Sequence, residues 1–185
     1  MSKTRPFDKK WTFWLTIFDF TSNQFQYTIE EIGSINNLVN LHQYYRTLPQ
    51  IHEIKRNPRH YASIAFFCDE IRPAWEDEKN KDGASYHFLV DEKVVDNLWR
   101  DLLLYASGGL FDFKGTNDLC GVVVSPKKDR RNYEFELWVK KFTEPCEKVI
   151  NQICNLECLK NYKNDKGEPL IKPETIQYEK HGQRY

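Results

Sequence analysis

The chain has 185 residues, with 27 basic against 27 acidic side chains and 15% aromatic residues. That length supports one domain with a real core and leaves little for a second, so 1–185 is expected to be a single domain. Balanced charge argues against broad, sequence-blind nucleic-acid binding but leaves room for a small local anion site, and the aromatic share exceeds what such a core needs.

In chain order, "MSKTRPFDKK" has no apolar leader core, and no run reaches about 18 apolar residues. A soluble, intracellular protein is expected, with 1–8 as a flexible arm. "WTFWLTIF" (11–18) is dense in aromatic and β-branched residues and predicts a strand; "YTIEEI" (27–32) predicts a second. "NNLVNLHQYYRTL" (36–48) places Leu38, Leu41, Tyr45 and Leu48 at helical spacing, with Asn36 or Asn37 as N-cap and Pro49 as the stop. "QIHEIKRNPRH" (50–60) reads as a basic loop, and "YASIAFF" (61–67) and "SYHFLV" (85–90) as strands. Over 93–107, Val94, Val95, Leu98, Trp99, Leu102, Leu103 and Ala106 form one apolar helix face, closed by Gly108-Gly109. "LCGVVVS" (119–125) and "YEFELWVKK" (133–141) predict strands around a basic hairpin, "PKKDRRN". A third helix is expected over 144–157, a turn at 164–169, a short strand over 174–179 and a flexible tail over 180–185. Hairpin-joined strands with three helices indicate an α+β fold whose antiparallel sheet carries helices on one face and leaves the other for function.

Cys68, Cys120, Cys146, Cys154 and Cys158 form no C-x-x-C pair and are expected to be reduced, structural thiols. His52, His60, His87 and His181 are scattered without ligand spacing, so no metal site and no cofactor are expected. No Ser/His/Asp or Cys/His signature and no P-loop is present.

"RPAWEDEKNKDG" (72–83) sets Trp75 directly before a charge run. An indole offers a flat stacking face. A carboxylate offers two acceptors in one plane, and guanine presents N1–H and N2–H₂ as parallel donors that Glu76 can take together. Adenine offers no such donor pair. Alone, the dipeptide reads more simply as a turn with Trp75 tucked into the core and the charges solvated.

The surrounding blocks decide between these. "PAWEDEKNKDG" resembles the signature of the eukaryotic translation initiation factor 4E family, the mRNA cap-binding proteins. "RPFDKKWTFWLTIFD" resembles its opening strand through Pro6, Trp11 and Trp14; "LWRDLLLYASGGLFD", "LCGVVVS" and "FELWVKK" resemble later blocks, all in family order from about residue 5 to 142. The resemblance implies a strongly curved antiparallel sheet with three helices on the convex face and a 7-methylguanosine cap in the concave face. N7 methylation makes the base a flat cation, and stacking it between aromatic faces is worth about 1–3 kcal/mol per base. Trp75 would be one plate; Glu76 would read the guanine edge, the Trp75 N–H would meet O6, and Trp138 would lie against the methyl group. Lys127, Lys128, Arg130 and Arg131 would serve the phosphates.

Three departures follow. The second plate, usually tryptophan, falls on Phe25, with Tyr27, Phe20 and Phe18 as alternatives. The phosphate hairpin is longer than usual. Lys127 keeps the first basic position, the second falls on Glu134, and Arg130 or Arg131 is expected to take over. On the convex face, where a scaffold factor of the 4G type or a 4E-binding protein docks a short helix, Leu38, His42 and Arg100-Asp101 replace the usual valine, tryptophan and Leu-Glu pair. Pro6 and Trp99 complete that expected surface. The expectation is a monomeric, non-enzymatic cap-binding factor of translation initiation, cytoplasmic or also nuclear, with no membrane partner. The alternatives are a cap-binding repressor with altered scaffold binding and, remotely, a cap-nucleotide hydrolase using Glu76-Asp77-Glu78.

Overall fold

The computed structural model describes residues 5–21, 26–57, 59–111, 119–129, 131–142 and 144–182. β1 (Pro6–Asp19) carries Trp11, Phe13 and Trp14 into the core. It pairs along both edges, with β2 (Gln26–Asn37) and β3 (His60–Cys68). β4 (Ala84–Asp91), β5 (Leu119–Pro126), β6 (Asn132–Val139) and β7 (Gln177–Lys180) complete a curved sheet in the order β2-β1-β3-β5-β6-β4-β7. Every neighbouring pair is antiparallel. The register shifts between Phe13 and Trp14 and between Leu119 and Gly121, irregularities of the kind that raise local twist.

The helices begin where short polar side chains satisfy their first N–H groups. The Asn37 side chain accepts from the Asn40 N–H at 2.9 Å to start α1 (Leu38–Thr47), and Asp91 does the same for Lys93 at 2.8 Å to start α2 (Glu92–Ser107). The α2 apolar face, Val95, Leu98, Trp99, Leu102, Leu103 and Ala106, is buried against β1, β4, β5 and β6. The helix expected over 144–157 is broken. α3 (Cys146–Cys154) stops at Asn155, whose side-chain amide donates to the Asn151 carbonyl at 2.8 Å, and a single further turn forms α4 (Glu157–Lys160). Four helices are therefore present among the described residues, not three.

Other boundaries also move. Pro6, expected in a flexible arm, opens β1. Pro173–Thr175 is a 3-10 turn, and the last strand runs later than expected, to Lys180, followed by His181 at 7% exposure. All five cysteines are free, and burial pushes the Cys68 thiol up to about 11 and Cys158 up to about 12, so both stay protonated.

The Cys-Gly step in "LCGVVVS" has a packing reason. A Cβ added at Gly121 would overlap the ring of Phe67, which is fully buried and meets Trp138 edge-on at 5.5 Å. Gly121→Ala is expected to destabilise the fold by about 1–3 kcal/mol through overpacking. The readout is a lower urea midpoint at unchanged slope; an unchanged midpoint would show that Phe67 can yield.

Candidate functional site

β6 separates core from cleft residue by residue. Tyr133, Phe135, Leu137 and Val139 are buried, with Phe135 next to Trp99 of α2 (6.4 Å between ring centres). Glu134, Glu136 and Trp138 alternate with them and face the opposite side. There they join Ser85 and His87 of β4, Val123 and Ser125 of β5, and Tyr61 and Ser63 of β3 as the floor of a cleft of about 570 Å³. The rim holds Tyr27 from β2, Pro73-Ala74-Trp75 from the β3–β4 loop, Lys127 from the β5–β6 hairpin and His181 after β7.

The β3–β4 loop is held by two of its own polar side chains. Asp77 accepts the Arg72 N–H (3.2 Å) on one carboxylate oxygen and the Lys79 N–H (2.9 Å) on the other. Asn80, fully buried, donates its amide to the carbonyls of Arg72 (2.8 Å) and Ala74 (3.0 Å). The carbonyl of Asn80 in turn accepts from His181 Nδ1 at 2.7 Å, and the His181 ring lies 4.4 Å from Trp138. These bonds tie the segment before Trp75 to the turn after it and to the C-terminal strand. Asp77 is thus occupied inside the loop and Glu78 pairs with Lys81 at 3.1 Å, so the acidic run does not converge on a common point.

Trp75 is 40% exposed and has no ring partner among the described residues. Glu76, exposed beside it, accepts the Tyr27 hydroxyl on Oε1 at 3.0 Å. Among the described residues, Tyr27, 39% exposed, thus meets the Trp75-Glu76 loop through its hydroxyl. Phe25, the expected second plate, lies outside the described residues. Phe18 is half-buried and stacks on Tyr61 (4.5 Å, 15°), while Phe20 is exposed and is not part of the lining. Trp138 lies in the floor, its Nε1–H donating to Glu136 at 2.9 Å.

The expected phosphate residues are dispersed. Lys127 lines the cleft, but its ammonium sits 2.9 Å from Glu134 Oε2. Lys128 and Arg131 are exposed on the hairpin and do not line the cleft; Arg130 lies outside the described residues. Arg56, which the sequence marked only as part of a basic loop, does line it, its guanidinium 4.1 Å over the Tyr61 ring. The histidines looked scattered, yet β4–β6 pairing sets His87 opposite Glu136 and brings it to Glu134 (3.9 Å). His87, Glu134 and Glu136 hold ligand-type atoms within 4.8 Å of one another, although Lys127 already supplies a cation to Glu134.

On the helical side, Leu38 and Val39 are about half exposed (53% and 49%), and Pro6 and His42 are exposed. Trp99 is not available to a partner: at 2% exposure it belongs to the core face of α2. Asp101 accepts Arg100 on Oδ1 (3.0 Å) and the Tyr162 hydroxyl on Oδ2 (2.7 Å), so each oxygen already holds one donor from the chain itself.

Asn80→Ala removes both latch bonds from a buried position and is expected to cost about 1–3 kcal/mol. Faster amide exchange from Asp77 to Gly83, with the sheet still protected, is the readout. Unchanged exchange would show that the loop is held by other contacts.

The family model "Eukaryotic initiation factor 4E" matches residues 6–184. Eukaryotic translation initiation factor 4E of Dictyostelium discoideum is 26% identical over 182 residues, covering 95% of this chain; the chain spans 64% of that protein's length. An Ascaris suum eIF4E-3 structure with m2,2,7G cap superposes with TM-score 0.72 at 20% identity, covering 99% of this chain and 94% of that one. A C. elegans eIF4E-3 structure, in complex with the 4E-binding protein Mextli and cap analog, gives TM-score 0.72 at 18% identity over 97% and 94%. With the matched model spanning nearly the whole sequence, the chain belongs to the eukaryotic initiation factor 4E family.

Proposed function

We propose that this protein binds the 7-methylguanosine 5′ cap of mRNA in its cleft and brings capped mRNA to translation initiation, with no covalent change to its ligand. The cytoplasm is the corresponding place of work. The observation that carries this reading is an exposed indole, Trp75, with no ring partner among the described residues, followed directly by a carboxylate that Tyr27 approaches from the opposite rim. The caps bound in the Ascaris and C. elegans neighbours support it. Trp75 stacks on the cationic base, Tyr27 or Phe25 supplies the second plate, Glu76 takes N1–H and N2–H₂, and Trp138 contacts the methyl group. Arg56 and Lys127 line the cleft and are the first cations a phosphate chain would meet; Lys128 and Arg131 stand further out on the hairpin. The Glu76-Asp77-Glu78 run does not converge, so it does not form the metal-binding carboxylate cluster that the hydrolase alternative assigned to it.

The protein is expected to stay on immobilised 7-methyl-GTP and to be eluted by 7-methyl-GTP at concentrations about tenfold or more below plain GTP. Glu76→Ala should lose about 2–3 kcal/mol of binding, since one truncation removes a charge-assisted pair. Tyr27→Phe frees Oε1 of Glu76 and keeps a ring, so its affinity should hold or rise, whereas Tyr27→Ala should weaken it. Equal elution by GTP, or a fully active Glu76→Ala variant, would reject the reading.

The convex face supports a second role. Leu38 and Val39 offer an apolar patch for a helical peptide of a 4E-binding protein; the C. elegans neighbour is in complex with the 4E-binding protein Mextli. Arg100 and Tyr162 already donate to Asp101, so a peptide donor would share that carboxylate with them. Binding lost in Leu38→Asp, measured by calorimetry, is the expected result. Cap binding without affinity for any such peptide would favour a repressor or specialised factor.

A further inference from the structure

Where β1 ends and β3 begins, basic and aromatic side chains interleave. Phe18 is paired across the strands with Tyr27 of β2 on one side and Tyr61 of β3 on the other. The three rings form one row: Phe18 and Tyr61 stack at 4.5 Å, and Phe18 and Tyr27 lie 6.1 Å apart. Phe20 lies nearly parallel to Tyr61 (6.0 Å, 16°) and is 39% exposed. Its N–H donates to the Arg59 carbonyl at 2.7 Å, which ties the end of β1 to the loop "KRNPRH" (55–60). Arg56 of that loop lays its guanidinium 4.1 Å over the Tyr61 ring and 5.8 Å from the Phe20 ring. Neither Arg56 nor Arg59 enters an ion pair among the described residues.

This stack starts inside the cleft and leads out of it. Phe18, Tyr27, Tyr61 and Arg56 line the cleft, whereas Phe20 lies outside the lining. The stack stands at the hairpin end of the sheet. β3 and β5 are antiparallel, with Ile64 opposite Val124, so β3 reaches Tyr61 in the direction in which β5 runs on to Lys127. A ligand whose phosphates reach toward Lys127 carries whatever follows them toward Arg56, Tyr61 and Phe20. In a capped RNA, the first nucleotide of the chain follows them. A guanidinium plane and an exposed ring are sequence-tolerant stacking partners for an unpaired base. The Tyr61 ring already holds the guanidinium in place, so little side-chain freedom is lost when a base arrives.

We propose that Arg56 and Phe20 form a subsite for the first nucleotide after the cap, whose base stacks on the Arg56 guanidinium and the Phe20 ring. This rests on the cap-binding reading above. The ligand class is a capped single-stranded RNA, held by stacking and therefore tolerant of sequence.

Fluorescence titration of the full chain with two short capped RNAs tests this, one with adenosine and one with an abasic ribose at the first position, alongside 7-methyl-GTP. In the wild type, the adenosine RNA is expected to bind about fivefold tighter than the abasic one. Phe20→Ala should leave 7-methyl-GTP within about twofold and reduce the difference between the RNAs to about twofold or less. Arg56→Lys keeps a cation and loses the plane, so the same difference should shrink there too. Equal binding of the two RNAs by the wild type overturns the inference and leaves cap binding intact. So does a difference that persists in either variant, because the base is then held elsewhere. A Phe20→Ala variant that loses 7-methyl-GTP as well also overturns it, since the ring then belongs to the cap site. Failure of the wild type to bind 7-methyl-GTP overturns this inference and the cap reading together. Thermal melting checks folding; if Phe20→Ala does not fold, Phe20→Leu, which keeps apolar bulk and removes the ring, takes its place.

Discussion

Strand β6 alternates strictly between two environments, and the site depends on that alternation staying in register. A slip of one residue would carry Glu134, Glu136 and Trp138 into the core and Tyr133, Phe135 and Leu137 into the cleft. Both edges of the strand are paired, with β4 from Ala84–Val139 to Asp91–Asn132 and with β5 on the other side. Phe88 stacks on Phe135 at 5.7 Å, and the Tyr133 hydroxyl donates to the His52 carbonyl at 2.9 Å. The core face thus over-determines the register. That is what allows the cleft side of the strand to carry the carboxylates of Glu134 and Glu136, beside His87 of β4.

Much of this frame was legible in one dimension, because strand and helix periods are local properties. The helix over 93–107 and the strands at 61–67, 85–90, 119–125 and 133–141 carry their own patterns. β2 is different. "YTIEEIGSINN" has no clean alternation, and the strand extends through Gly33 because β1 offers it an edge; Tyr44 closes over the glycine so tightly that a Cβ there would overlap its ring. Trp75 and Glu76 could be read as a unit because they are neighbours in sequence. Asn80 looked like one more turn residue. Its role became visible only with the carbonyls of Arg72 and Ala74 in place and with His181 against it from the far end of the chain. Tyr27 stood among four candidates for the same reason: which aromatic meets the loop depends on the β1–β2 register, and that register shifts at Phe13–Trp14.

On the convex face, Arg100 and Asp101 stand side by side in sequence in place of a Leu-Glu pair. In the fold they bond to each other, and Tyr162 completes the set from beyond α4. Trp99, next to them in sequence, points the other way because helical neighbours are separated by about 100°. Exposed apolar side chains of the helices lie at Leu38 and Val39 of α1 and at Leu104 of α2.

Charge is the property least legible from composition. Twenty-seven acids and twenty-seven bases suggest a neutral surface, yet neutrality of the sum says nothing about spacing. The hairpin "PKKDRRN" looks basic when counted along the chain. In the fold, Lys127 lies on the same face as Ser125, and Ser125 is paired with Glu134, so the first of those bases meets an acid across the strand before it meets any ligand. Counting along the sequence adds Lys127 to the cations of the hairpin, whereas pairing across it subtracts the charge.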